Sequence, residues 1–127
     1  LYEKHKCVSY PRTPSRVMGE DNVQLCHDLF FKFITLCPEY FQLHSLGTVD
    51  GNNKRIFNDS KLEAHHAIIP LDKIPAGATG EEENVFYLIL ERFMLAFAPV
   101  CHIETVAAEV NVKGCTSKLQ GVFIWTK

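Results

Sequence analysis

Residues 81–97 read EEENVFYLILERFMLAF, and this stretch decides the helical part of the fold. Three glutamates at its start favour a helix N-terminus, because aligned peptide dipoles make that end of a helix partly positive. Pro99 lies just beyond the stretch and cannot continue a helix. Apolar residues recur at helical spacing between these signals, among them Val85, Leu88, Ile89, Phe93 and Phe97. The pattern predicts a long helix from about Glu81 to Phe97.

Upstream, a second helix is predicted between an acidic turn at residues 19–22 and Pro38. Its apolar face is carried by Leu25, Leu29, Phe30, Phe33, Ile34 and Cys37. Residues 47–58 are polar and rich in turn formers, which predicts an exposed loop. The run Ser60-Lys61-Leu62-Glu63 has the pattern of a capping box, and it predicts a short helix that Pro70 closes.

Two strands are predicted at the C-terminal end, because β-branched and aromatic residues alternate there around Lys113-Gly114. They run over residues 103–112 and 119–125 and form a hairpin. The expected fold class is therefore α+β, mostly α: a compact helical domain over residues 1–100, followed by β-strands over residues 101–127. The two parts could also form a single compact unit.

The composition limits the classes of protein to which the chain can belong. Its 127 residues, 46% of them hydrophobic, can bury one core. A net charge of -2 excludes the strongly basic surface of proteins that bind nucleic acid mainly through counterion release, so any DNA contact must be local. The five cysteines are odd in number and show no CxxC spacing, which argues against a disulfide framework or zinc cluster. No apolar run reaches a membrane span and no leader opens the chain, so we expect no membrane partner and a cytoplasmic location.

Tyr10 lies in the run Val8-Ser9-Tyr10-Pro11-Arg12-Thr13-Pro14-Ser15-Arg16. A phenol has an unperturbed pKa of about 10, so it needs nearby positive charge or a base to react as phenolate. Arg12 and Arg16 supply that charge, and a guanidinium also presents paired donors to phosphate oxygens. Thr13 and Ser15 add hydroxyl groups. The run suits nucleophilic attack on a phosphodiester; the alternative is an extended loop with a half-buried tyrosine.

A second run, NDSKLEAHHAIIP over residues 58–70, contains adjacent histidines. Because the pKa of histidine lies near neutrality, His65 could donate a hydrogen bond to a phosphate oxygen or pass on a proton. On a helix, His66 would project about 100° away from His65, so the pair is not expected to share a metal ion. The alternative for this pair is an ordinary surface position, or a partly buried position with its hydrogen bonds satisfied.

Together these runs resemble motifs of type IA DNA topoisomerases. The family's nucleophile motif places a small residue, Tyr, any residue, Arg, Thr, Asp and Ser in order, and Pro14 replaces the Asp here. Residues 65–70 resemble the family's segment His-His/Glu-Ala-Ile/Leu-x-Pro. Residues 84–97 resemble the helix that leads out of its tyrosine-bearing domain, and the hairpin resembles the first strands of its arch domain. The resemblance covers nearly the whole chain and is nearest the bacterial topoisomerase III-like branch.

The resemblance implies a fragment of a longer enzyme, equivalent to the central, tyrosine-bearing domain (domain III-like). In it Tyr10 would attack single-stranded DNA and form a 5′-phosphotyrosine bond, Arg12 would stabilise the phosphate and His65 would assist. Further DNA contacts would come from Thr13, Ser15, Arg16 and Arg92. Magnesium would be held by acidic residues of a separate TOPRIM domain, so no metal ligand is expected here. The partners would be the TOPRIM and arch domains, the location the bacterial nucleoid, and residues 1–127 alone would be inactive.

Two other functions stay open. One is a non-catalytic module that binds single-stranded DNA, with Tyr10 stacking on a base. The other is a structural interaction domain, which the acidic pI favours. Pro14 bears on this choice, because it removes a hydrogen-bond acceptor from the motif and biases Thr13 toward an extended backbone.

Overall fold

The first helix, α1 (Val23–Leu36), follows a 3-10 turn at Glu20–Asn22. The structure is a computed structural model, and it describes residues 1–38, 47–99 and 102–125 of the chain. The helix ends as predicted before Pro38, where the backbone N–H of Cys37 donates to the Phe33 carbonyl. Its buried face consists of Cys26, Leu29, Phe30 and Phe33. Leu25, which we predicted on that face, is 40% exposed, because the face is centred on the two phenylalanines.

The second helix, α2 (Gly80–Ala96), begins with a capping box. The Thr79 hydroxyl accepts from the Glu82 backbone N–H at 3.3 Å, and the Glu82 carboxylate accepts from the Thr79 N–H at 2.8 Å. The helix is confirmed, but its predicted buried face was partly wrong, since Val85 and Leu88 are 50% and 60% exposed. The face that packs instead carries Phe86, Leu90, Phe93, Met94 and, just past the helix, Phe97. Burying this face removes more aromatic surface from water.

Phe97 connects the two helices with the polar segment of residues 47–58. Its ring centroid lies 5.6 Å from that of Phe30 on α1, 5.2 Å from that of Phe93 on α2 and 6.3 Å from that of Phe57 in the loop. All four rings are buried. The core is therefore an aromatic cluster, and the polar loop predicted at residues 47–58 is anchored into it at its end.

The short helix predicted from Ser60 to Pro70 is wrong. Only Asp59–Lys61 forms a 3-10 turn, and Leu62 already has extended backbone angles, φ -76° and ψ 127°. Two physical causes favour extension. A residue that precedes proline is disfavoured in the helical region, and Ile69 is also β-branched. In addition, the backbone groups of the segment bond to distant parts of the chain, as when the N–H of Ala67 donates to the Val17 carbonyl.

The C-terminal hairpin consists of β1 (His102–Val112) and β2 (Cys115–Trp125), paired antiparallel. Its two-residue turn, Lys113-Gly114, has φ values of 50° and 86°, the geometry that twisted hairpins favour. Every side chain from residue 103 to residue 124 is exposed. The described residues form two α-helices and one hairpin, which is consistent with the predicted α+β class. The division into residues 1–100 and 101–127 stays a prediction.

Within the described ranges, no helix is long and apolar enough to cross a membrane.

Candidate active site

The tyrosine run and the histidine run lie side by side. Val8 forms an antiparallel bridge with Pro70, and the N–H of Ser9 donates to the Ile69 carbonyl at 2.9 Å. One step further, the N–H of Leu71 donates to the Cys7 carbonyl at 2.8 Å. These bonds join segments about 60 residues apart in the chain, as the separation of Ser9 and Ile69 shows. The extended form of the histidine run is what makes this pairing possible.

Ser9 strengthens the pairing with its side chain. It is 7% exposed, the buried polar residue of the described core. Its hydroxyl donates to the Ala67 carbonyl at 3.4 Å and accepts from the Ile69 N–H at 2.9 Å. The hydroxyl therefore satisfies two buried backbone groups of the histidine run. It holds the backbone next to Tyr10 in register with the backbone next to His65.

Tyr10 is held by its ring and not by its hydroxyl. The ring centroid lies 4.6 Å from that of His65, with 46° between the planes, and 5.5 Å from that of Tyr2, with 80° between the planes. The side chain is 37% exposed. In the part of the chain that the structure describes, the Tyr10 hydroxyl has no hydrogen-bond partner. Two aromatic contacts therefore restrain the ring, and the hydrogen-bonding capacity of the hydroxyl is unused among the described residues.

The two arginines of the run are exposed. Among the described residues, no carboxylate lies within ion-pair distance of the Arg12 or Arg16 guanidinium. Their donors are therefore available to an incoming phosphate, which a guanidinium binds through two parallel hydrogen bonds.

The hydroxyls of Thr13 and Ser15 are already engaged. The Thr13 hydroxyl donates to the His65 carbonyl at 3.1 Å and accepts from the Ser15 N–H at 3.1 Å. The Ser15 hydroxyl donates to the Val17 carbonyl at 3.2 Å. Each hydroxyl has a single proton, so in this arrangement neither can donate to DNA. Both shape the loop, and their predicted role in DNA binding stays a prediction.

His65 and His66 turn apart. The His65 ring lies against Tyr10, whereas Nδ1 of His66 lies 2.7 Å from the Ala67 carbonyl and donates to it in the tautomer that carries the proton there. Successive side chains of an extended segment point to opposite sides, which separates the two rings. The two rings therefore have different neighbours, and the expectation that they do not share a metal ion stays a prediction.

Arg92 lies outside the group formed by Tyr10 and His65. It is exposed on α2, ten residues after Glu82, which is about 15 Å along the helix axis. Glu82, at the start of α2, contacts the N-terminal turn formed by residues 2–6. Its carboxylate lies 3.2 Å from Nε2 of His5, whose side chain is buried. The structure therefore brings together Tyr10, His65 and Thr13, whereas no contact joins Arg92 to them among the described residues.

Tyr2 is the residue beside Tyr10 that the sequence analysis missed. It is brought there by a turn that closes at Lys6, where the N–H donates to the Tyr2 carbonyl at 3.2 Å and φ is 52°. This is the αL motif that ends many helices, usually with glycine at the left-handed position. A lysine at that position gave no signal of the turn, so the chain reversal could not be seen in the sequence.

In the described ranges, no three side chains of His, Cys, Asp or Glu lie close enough together to hold a metal ion. The described residues therefore do not supply a three-ligand site for magnesium.

Comparisons with known proteins give one consistent result. A family model described as DNA topoisomerase matches residues 1–127. DNA topoisomerase 3 of Haemophilus influenzae is 34% identical over 117 residues, which are 91% of this chain and 18% of that protein. The Bacillus licheniformis protein of the same name is 33% identical over 95% of this chain and 17% of its own length. DNA topoisomerase 3 of Vibrio cholerae is 29% identical over 98% of this chain and 18% of its own length. The chain thus spans less than a fifth of the length of these relatives.

Proposed function

Because this chain belongs to the DNA topoisomerase family, we propose that it is the part of a type IA enzyme that carries the nucleophile, Tyr10. The family membership confirms the resemblance found in the motifs. The observation that carries the proposal is the contact between the Tyr10 and His65 rings, at 4.6 Å, with no hydrogen bond to the Tyr10 hydroxyl from the described residues. Two motifs that resemble parts of one family's site meet at this contact, which neither motif alone required.

The proposed reaction is a transesterification. The Tyr10 oxygen attacks the phosphorus of a phosphodiester in single-stranded DNA, the bond from phosphorus to the 3′ oxygen breaks, and the phenol proton is lost while the 3′ oxygen gains one. The product is a 5′-phosphotyrosine and a free 3′-hydroxyl. Attack by that hydroxyl restores the strand and frees the tyrosine. The energy of the broken bond is kept in the covalent intermediate, so religation needs no other energy source.

Arg12 and Arg16 have the free donors that this reaction needs. Their guanidinium groups would bind the phosphate oxygens and stabilise the negative charge that develops during attack. His65 contacts the ring of Tyr10, so a phosphate placed on the Tyr10 oxygen would lie near its imidazole. It would donate a hydrogen bond to that phosphate or carry a proton.

The remaining components belong to the longer protein. We propose that Mg²⁺ is bound outside these 127 residues, by a TOPRIM domain, since the described residues do not offer a set of ligands for it. The exposed apolar side chains of the hairpin fit contacts with an arch domain. On this proposal the isolated chain carries the nucleophile and does not cleave DNA by itself.

The test is to trap the covalent intermediate with the full-length protein. It is incubated with a single-stranded oligonucleotide and Mg²⁺, denatured with detergent and separated by electrophoresis. Label at the 3′ end is expected to stay with the protein and label at the 5′ end to be released, because the tyrosine holds the 5′ phosphate of the downstream piece. A Tyr10→Phe variant, which keeps the ring but lacks the reacting oxygen, is expected to retain neither label.

The same experiment separates the alternative function. A protein that binds the oligonucleotide but forms no adduct would be a single-strand binding module on this fold, and Pro14→Asp would then show whether the missing acidic residue is the cause. An adduct in the wild-type protein would show instead that Pro14 is compatible with the reaction.

A further inference from the structure

We propose that Tyr2 is a positioning residue for Tyr10, and that its ring and that of His65 together restrict the side chain of the nucleophile. The inference deepens the proposed function and rests on it. It begins from the contact between the two tyrosines, whose ring centroids are 5.5 Å apart with planes at 80°. This is the edge-to-face arrangement that aromatic pairs prefer, because the positive edge of one ring meets the negative face of the other.

The ring of Tyr10 contacts two other rings. Tyr2 lies against it at 5.5 Å and His65 at 4.6 Å, and both contacts involve the ring alone. A tyrosine side chain that is 37% exposed would otherwise change its rotamer freely. Two ring contacts restrict that motion without engaging the oxygen. The reacting atom then stays near one place, and its hydrogen-bonding capacity remains free for the reaction.

The backbone that carries Tyr2 is itself fixed. The Tyr2 carbonyl accepts from the Lys6 N–H at 3.2 Å, and the Leu1 carbonyl accepts from the Cys7 N–H at 3.2 Å. Cys7 in turn is fully buried, and its carbonyl accepts from the N–H of Leu71, just past the histidine run. Tyr2 is thus tied to the same backbone framework that places His65.

Core packing does not account for Tyr2. Its side chain is 40% exposed and lies outside the buried core. In the described ranges its hydroxyl has no hydrogen-bond partner, so the contact with Tyr10 uses the ring only. Phenylalanine at this position would keep that contact, whereas alanine would remove it.

The test compares variants of the full-length protein by two quantities: the rate of adduct formation at saturating oligonucleotide, and the Kd for the oligonucleotide. Tyr2→Ala is expected to slow adduct formation about 3- to 10-fold, the range that corresponds to the loss of one aromatic pair. Its Kd is expected to stay within about 2-fold of wild type, because Tyr10 and the arginines remain. Tyr2→Phe is expected to react at the wild-type rate.

Phe31→Ala is the matched control. Phe31 is 51% exposed and contacts other rings, those of His27 and Phe30, away from Tyr10. It is expected to leave the rate unchanged. If Tyr2→Ala also lowers the melting temperature, Tyr2→Leu keeps the bulk of the side chain without the aromatic edge, and is expected to remain slow.

Three results would overturn the assignment: a wild-type rate for Tyr2→Ala, a slow rate for Tyr2→Phe, or a loss in Tyr2→Ala that appears in Kd and not in rate. Failure of the wild-type protein to form any adduct would instead contradict the proposed function, so the two failures are distinguishable.

Discussion

At Ser9, one hydroxyl connects two segments that are far apart in the chain. It accepts from the buried N–H of Ile69 and donates to the Ala67 carbonyl. If the hydroxyl were removed, the buried N–H of Ile69 would be left without a partner, whereas the Ala67 carbonyl would keep Nδ1 of His66 at 2.7 Å. Ser9 therefore acts on the site through the backbone, and its importance lies in its two bonds more than in its size.

Ser9→Ala is expected to lower the free energy of unfolding by about 1–3 kcal/mol, the usual cost of leaving a buried polar group unpaired. Denaturant titration of the 127-residue chain measures it. Ser117→Ala is the control, because Ser117 is exposed on the hairpin, and it should change the free energy by less than about 0.5 kcal/mol. Equal small effects of both substitutions would show that the Ser9 bonds do not hold the two runs together.

Lys6 carries local strain. Its φ of 52° lies in the left-handed region, which costs a residue with a Cβ atom about 1–2 kcal/mol. Lys6→Gly is expected to raise the free energy of unfolding by about 0.5–1 kcal/mol, since glycine's greater freedom in the unfolded chain offsets part of the gain. Lys6→Ala keeps the Cβ atom and should have little effect. A destabilising Lys6→Gly would show that the lysine side chain has a stabilising contact.

Among the elements, the start of α2 connects the helix to the N-terminal turn. The backbone N–H of Thr79 donates to the Glu82 carboxylate, which also lies beside the buried His5 imidazole. The Thr79 hydrogen bond and, after it, the contact with His5 lower the pKa of Glu82 from 4.5 to about 2. The contact with His5 joins the helix to the turn that carries Tyr2.

This lowered pKa gives the stability a defined pH dependence. Because the folded-state pKa is below the unfolded value, ionised Glu82 stabilises the fold above about pH 4.5, and its contribution is lost as the pH falls toward 2. Glu82→Gln is therefore expected to be less stable than wild type at pH 7, with a difference that shrinks between pH 4.5 and pH 2. Urea titrations at several pH values measure it.

Glu81→Gln removes the same charge from the same helical turn without the bond to Thr79, and it serves as the control. The difference in the free energy of unfolding between Glu81→Gln and wild type should vary less over that pH range than the difference for Glu82→Gln. A difference for Glu82→Gln that stayed constant from pH 7 to pH 2 would contradict the assigned role of its ionised form.

Some of the secondary-structure elements could be predicted from the sequence and others could not. Both helices and the hairpin turn could be predicted, because caps, prolines and Lys113-Gly114 act locally. The histidine run could not, since its backbone bonds to Val17 and to the segment around Ser9 outweigh a local capping pattern. The same is true of the buried face of α2. Periodicity allows several adjacent faces, and packing against α1 selects the one that carries Phe86 and Phe93.

For the whole molecule, the body and the hairpin differ in burial. Phe86 is 1% exposed in the helical core, whereas Phe123 on β2 is 56% exposed. Phe86→Ala is expected to lower the free energy of unfolding by about 3–5 kcal/mol through the cavity that it leaves. Phe123→Ala should change it by less than about 0.5 kcal/mol. Denaturant titration of the 127-residue chain compares them. A comparable loss for Phe123→Ala would show that the hairpin packs against the body.

For the site as a whole, the sequence led to a hypothesis about the chemistry, which stays a prediction, and to only part of the geometry. The residue types around Tyr10 indicated phosphodiester attack, and the motifs indicated the family. What the sequence could not show was that Thr13 uses its hydroxyl to hold His65, or that Tyr2 folds back onto Tyr10. Both depend on the pairing of distant backbone segments, which leaves no periodic or spacing signal.

The central claim is that Tyr10 forms the covalent bond to DNA, and the most direct test is to identify the modified residue. The full-length protein is trapped on an oligonucleotide, digested with nuclease and protease, and the peptides are sequenced by mass spectrometry. The account predicts a single nucleotide-bearing residue, Tyr10, in the peptide that contains Pro11 and Arg12. A nucleotide on Tyr2 or on any other residue, with Tyr10 unmodified, would contradict it.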